Sequence, residues 1–258
     1  MREITGSMPS YGAAHWLMLA LLVVLVAVCV PLARRIRGTE REARVYRRCG
    51  WVLLAWSIGW WGWGMLPENW NPGESLPLHY SDALRLIAAL ALITRRRLWL
   101  ALLFFWGLSL NLQAVVTPSL NYYVSASAEF VDYWSFHLLV QVAAIVIVWG
   151  YGYRPTWREY WWAFGSAVVW AVVAGVGNVV SGGNYGFLAH KPATASALDV
   201  MPEWPWYVPI VLLLVGGVWA LMTWPFARGR GKLRNTWETT YVTPDTPRTI
   251  RRNDRAAP

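Results

Sequence analysis

The chain has 258 residues, 56% of them hydrophobic and 14% charged, with 20 tryptophans and a formal net charge of +9. Soluble domains carry about 25% charged residues, and a globule of this length could not bury so much apolar surface, so soluble enzyme folds are excluded. Charge-free runs of 30 (Ile4 to Ala33), 19 (Cys49 to Pro67), 21 (Tyr133 to Tyr153) and 24 residues (Trp204 to Ala227) match the roughly 20 residues a helix needs to cross about 30 Å of hydrocarbon.

The pattern predicts an all-α, polytopic membrane bundle of seven transmembrane helices. The expected spans are His15 to Leu32, Gly50 to Leu66, Leu76 to Thr94, Leu98 to Val116, Tyr133 to Gly150, Tyr160 to Ser181 and Trp206 to Phe226. The third holds Asp82 and Arg85. Pro77 suits the first turn of that helix. Residues 1–226 form the membrane domain, and 227–258, basic and rich in Thr and Pro, read as a disordered cytoplasmic tail.

Of the 23 Lys and Arg residues, 20 fall in alternate segments: 33–49, 95–97, 151–159 and the tail. The positive-inside rule then puts the amino terminus outside and the carboxyl terminus in the cytoplasm. The positive charge thus reads as an orientation signal at a multi-pass cell membrane, and no nucleic-acid partner is expected. Two cysteines, Cys29 and Cys49, give no disulfide framework, zinc spacing or redox motif. No metal and no cofactor are expected.

Tryptophans near span ends, Trp60, Trp61 and Trp63 among them, suit the headgroup layer. Gly59, Gly62 and Gly64 with Ser57, and Ala171 with Gly175, are small residues that would permit close helix contact.

Ionisable and polar groups at membrane depth are costly and are retained for function or for an obligatory pair. Those outside the basic anchors collect in the outer halves of spans and in outer loops: His79, Ser81, Asp82, Asn111, Gln113, His137, Gln141, Asn178, Ser181, Asn184, Tyr185, His190 and Lys191. A polar cavity facing outward is expected. At 100° per residue, Ser81, Asp82 and Arg85 share one helix face, with His79 beside Asp82. That spacing equally suits an Asp82–Arg85 ion pair with no chemistry. His137 is either a packing residue or a base for a nearby nucleophile. Asp132, five residues earlier, and Asp82 are equal contenders for orienting it. Glycines 182, 183 and 186 flank Asn184 and Tyr185 in the longest outer loop, where Lys191 is the one outer lysine.

The segments LPLHYSD (76–82), FFWGLSLNLQAVVTP (104–118), FHLLV around His137, GGNYGFLAHKPATAS (182–196) and EWPWYV (203–208) resemble the bacterial YwaF-type integral membrane proteins, over about residues 50–226. These are similar to the vertebrate ether-phospholipid acyltransferase and, more distantly, to the androgen-induced membrane hydrolases. The resemblance implies acyl transfer or lipid hydrolysis by a nucleophile on one span and a histidine on another. Ser81 then stands where relatives often have cysteine, and His137 in the place of the histidine. Serine needs stronger base assistance than a thiol. In this reading Ser81, His137 and Asp82 are catalytic, and His79, Arg85, Asn111, Gln113, Asn184, Tyr185 and Lys191 contact a membrane lipid substrate, with Asn111, Gln113 or Asn184 donating to the oxyanion. A non-catalytic lipid-binding or assembly protein of the cell envelope, with an envelope protein as partner, is the alternative. A transporter is the second alternative, supported only by the charged third span.

Overall fold

A computed structural model describes residues 3–192, 196 and 198–227, so the predicted tail lies outside the described residues apart from Ala227. The elements, in chain order, are β1 (Gly6–Ser7), α1 (Ala13–Ile36), α2 (Glu40–Gly64), α3 (Tyr80–Thr94), α4 (Arg97–Phe105), a π-helical turn (Trp106–Leu110), α5 (Asn111–Val116), β2 (Asn121–Tyr122), α6 (Ala126–Trp149), α7 (Trp157–Ser181), a 3-10 turn (Tyr185–Phe187) and α8 (Tyr207–Ala227). β1 and β2 pair antiparallel, Gly6 opposite Tyr122. Among the described residues the fold is all-helical apart from this bridge.

Among the described residues five stretches are long and apolar enough to cross a membrane: α1, the continuous α4-to-α5 rod, α6, α7 and α8. The other two predicted spans are helical with different bounds. α2 begins at Glu40 and carries its arginines within its first turns, so the basic segment is mostly helix. α3 has 15 residues, about 22 Å at 1.5 Å per residue.

The start of α3 corrects the placement of Pro77. The helix begins at Tyr80, with His79 extended at φ −62° and ψ 151° as its N-cap, and the His79 N–H donates to Asp82 Oδ2 at 3.0 Å. Asp82 therefore caps the helix, and Leu76 to His79 form a turn before it. α6 likewise starts earlier than the apolar run. Ser125 caps it, and the Glu129 carboxylate accepts backbone N–H groups of Tyr123, Val124 and Ser125. Those acids satisfy N–H groups at or just before the N-cap of each helix, and with α6 starting at Ala126, His137 sits three turns into it, well inside the helix.

The centre of the bundle is α3, the α4–α5 rod and α6. α3 packs on α2, α4 and α6, and α1 on α6. Burial of the apolar windows runs from 72% in α6 to 6% in α1, so α1 presents nearly its whole surface to the surroundings. Such a helix, apolar all round yet unburied, belongs in lipid.

Close approach occurs at glycines other than those expected. A Cβ on Gly59, Gly62 or Gly175 would meet nothing within 4 Å, whereas one on Gly50 would lie 2.7 Å from Ile93 Cγ1 and 2.8 Å from the Ala89 carbonyl, and one on Gly107 2.7 Å from the Ala144 Cβ. Gly50 is thus the contact point of α2 on α3. Gly50→Ala is expected to cost about 1–3 kcal/mol through overpacking, read as a lower thermal midpoint in detergent micelles, while Gly59→Ala should leave it unchanged.

Candidate functional site

Two polar networks meet where α3, α5 and α6 come together. The first is a chain of charge. Arg85, 4% exposed, makes a two-point pair with Asp132: Nη1 donates to Oδ1 at 3.0 Å and Nη2 to Oδ2. Its Nε lies 4.0 Å from Asp82 Oδ1 and makes no hydrogen bond among the described residues. The indole N–H of Trp61 donates to Asp82 Oδ1 and that of Trp56 to Asp132 Oδ1, both at 2.9 Å. The guanidinium carbon stacks 4.2 Å from the centroid of the Phe136 ring. Two carboxylates thus flank one guanidinium, and α2 supplies an indole donor to each.

The expected Asp82–Arg85 pair is consequently the weaker half of the arrangement. Asp132, on a different helix, takes the bidentate face of Arg85, the geometry in which guanidinium–carboxylate recognition is strongest. A buried pair of this kind is poor evidence of net stability, because desolvating both ions offsets their attraction.

The second network fixes His137. Asn111, fully buried, donates its two amide hydrogens to the His137 carbonyl and to Gln141 Oε1, both at 3.0 Å. Its Oδ1 is therefore the acceptor facing His137 Nδ1 at 2.7 Å. The imidazole proton is held on Nδ1, leaving the lone pair on Nε2. Nε2 makes no hydrogen bond among the described residues. The Tyr133 and Phe136 rings lie 4.3 and 4.8 Å from the imidazole. The π-helical turn just before Asn111 shifts the helix register by one residue and aims its amide at α6. Such bulges are frequent at functional sites.

Neither Asp132 nor Asp82 orients His137; Asn111 does. Replacing Asn111 with leucine is expected to leave the Nδ1–H without an acceptor. Nitrogen NMR of labelled histidine should then show the two neutral tautomers mixed, where the parent protein shows one.

Ser81 lies in the first turn of α3, half-buried, and its Oγ makes no hydrogen bond among the described residues. It is not hydrogen-bonded to His137. The two belong to packed helices, α3 and α6.

The remaining expected site residues apart from Gln113 belong to the loop cap. His79 Nε2 is 3.1 Å from Glu74 Oε2, and Glu74 Oε1 accepts from the Tyr123 hydroxyl. The Tyr185 hydroxyl donates to the Pro72 carbonyl at 2.7 Å and accepts the Leu76 N–H. Burial, with the Glu74 and Asp82 charges adding to it against the Leu76 bond, pushes this hydroxyl up to about 12, so it stays a neutral donor. Asn178 pairs through both amide atoms with the Tyr185 backbone.

Asn184 spends its amide hydrogens on His190 and accepts from the Ala189 and His190 N–H groups. Lys191 Nζ bonds the Met201 carbonyl and Glu203, both at 2.9 Å. Glu203 is 87% exposed, so this pair contributes little. Gln113 is exposed, on the opposite side of α5 from Asn111. The side-chain N–H groups of Asn111 and Asn184 are thus committed to other acceptors, whereas among the described residues Arg85 Nε and Trp106 Nε1 are buried donors that make no hydrogen bond.

Ser81, Asp82 and Arg85 are thus together on α3, and Asn111 joins His137, whereas Gln113, Asn184, Tyr185 and Lys191 stand apart in surface or loop roles. The residues missed were Asp132 as the partner of Arg85, Trp56 and Trp61. Only Asp132 carried a signal, a charge beside an apolar run; the indoles look like every other tryptophan here. Among the described residues no three His, Cys, Asp or Glu side chains converge on a metal position.

No curated protein and no solved structure matches the chain. The profile of the TMEM164 family, a membrane protein family, matches residues 10–223. With most of its length covered and its apolar helices in place, this multi-pass membrane chain belongs to the TMEM164 family.

Proposed function

We propose that the protein is a seven-span cell-membrane acyltransferase or lipid hydrolase, amino terminus outside, that works on an outer-leaflet or envelope lipid through Ser81 and His137. The observation that carries this reading is that, among the described residues, Ser81 Oγ and His137 Nε2 make no hydrogen bond while Asp82, Asp132 and Asn111 are bonded. A histidine held with its lone pair on Nε2 is prepared to accept a hydroxyl proton.

Ser81 Oγ attacks the ester carbonyl as its proton passes to Nε2. The tetrahedral oxyanion takes the Nε–H of Arg85, one turn along the Ser81 face of α3. Collapse expels the lipid alkoxide, which receives the proton from His137, and an acyl-serine remains. An acceptor hydroxyl, or water in hydrolysis, then repeats the exchange. Substrate must bring Oγ and Nε2 within hydrogen-bonding distance, a tightening common on substrate binding.

The test is to follow labelled acyl chains in lipid extracts of membranes holding Ser81→Ala or His137→Ala protein. Loss of transfer in both supports the pair, and unchanged transfer in both overturns it in favour of a non-catalytic lipid-binding role.

A further inference from the structure

At the other end of the bundle, where α1 turns into α2, an open recess of about 370 Å³ is lined by Arg35, Ile36, Thr39, Glu40, Arg41 and Arg44. The neighbouring arginines have other tasks. Arg34 Nε donates to the Trp149 carbonyl at 2.7 Å, and the Arg37 guanidinium lies against Gly152. Arg35, Arg41 and Arg44, by contrast, make no hydrogen bond or ion pair among the described residues.

Three guanidiniums against the one carboxylate of Glu40 leave a net positive recess. Mutual repulsion among them is relieved by an anion that accepts from several at once, and planar guanidinium forks match phosphate oxygens. The first turn of α2 opens into the same space with no side-chain cap, since the Thr39 hydroxyl donates to the Ile36 carbonyl instead, and its dipole adds to the attraction.

We propose that this recess binds a phosphate group, carried by the headgroup of an anionic phospholipid. α1 is one of the helices long and apolar enough to cross a membrane and is almost wholly unburied. Its last residues, Arg35 and Ile36, therefore sit at a membrane boundary with lipid chains alongside. Ile36 gives the recess an apolar wall for the glycerol end. The site lies on the arginine-rich face and is independent of the Ser81 chemistry.

Full-length protein is reconstituted in nanodiscs of phosphatidylglycerol and phosphatidylcholine at equal parts, released in the gas phase, and its retained lipids counted by mass. Phosphatidylglycerol should be enriched several-fold. Arg35→Gln/Arg41→Gln should lose that enrichment at least about fivefold, while Arg47→Gln/Arg48→Gln, which removes the same charge from α2 outside the recess, should keep it. Equal losses in the two doubles would reduce the effect to diffuse attraction and overturn the site. Inorganic phosphate raising the thermal midpoint in detergent, with no lipid preference in nanodiscs, would overturn the lipid as its source. The midpoint of each variant in phosphatidylcholine alone verifies folding.

Discussion

Ser81→Ala is expected to lower acyl transfer by about 10³-fold or more, the scale on which removing a covalent nucleophile acts, without change in the thermal midpoint. The hydroxyl makes no hydrogen bond among the described residues, so its removal orphans no partner. That separation of activity from stability distinguishes a nucleophile from a packing residue. Ser81→Cys should retain transfer, because a thiolate is the better nucleophile and needs less help from His137. Its activity should also disappear on alkylation with a small thiol reagent, while the parent protein is insensitive at the same concentration. Cys49 is exposed, so the comparison is made on a Cys49→Ala background. If Ser81→Ala and the parent transfer acyl chains at the same rate, Ser81 is not the nucleophile.

Arg85→Met is the second large effect, this time on folding. It leaves Asp82 and Asp132 buried near one another with no cation between them, and breaking one side of a buried pair costs about 3–5 kcal/mol. The two indole donors remain but cannot neutralise two negative charges. The expected result is a steep loss of folded protein in detergent at neutral pH. Combining Arg85→Met with Asp132→Asn should recover a large part of the lost stability, since it removes one of the two uncompensated charges, and the repulsion between them, without restoring the pair. A double variant no more stable than Arg85→Met would show that the Arg85–Asp132 contact is not what the single change breaks. The indoles should matter less: each supplies one charge-assisted hydrogen bond, about 1.5–3 kcal/mol, to its carboxylate.

These two effects separate roles that share one helix face. Ser81 and Arg85 are a turn apart on α3, yet one side chain is free and the other is committed to another helix. Asp82 belongs first to the backbone, capping α3 through the His79 N–H. Loss of its charge would therefore disturb helix entry as well as any chemistry, and Asp82 variants alone cannot assign it a catalytic part.

The sequence by itself determined the helical class, five of its seven expected spans as long apolar helices, the basic alternation and which polar groups lie in apolar settings. These follow from local rules. Apolar run length sets which segments can cross hydrocarbon, and the cost of a buried ion makes Asp82, Arg85 and Asp132 visible in their apolar settings. Local spacing also explains why Ser81, Asp82 and Arg85 could be put on one face of α3 without a structure.

Only the tertiary structure decided who bonds to whom. Asp132 precedes the apolar run and is 47 residues from Arg85 in the chain, so no helical periodicity could link them. The partner of His137 was equally hidden, because Asn111 reaches α6 only through the π-helical turn that precedes it, and one extra residue in a turn leaves no mark on composition. Trp56 and Trp61 read as ordinary members of a tryptophan-rich chain until the pairing of α2 with α3 and α6 gave their N–H groups carboxylates to meet. The glycines divide on the same ground. Gly59 and Gly50 are alike in sequence, but only Gly50 stands where another backbone comes within a methyl group's reach, a property of the opposing helix rather than of its own.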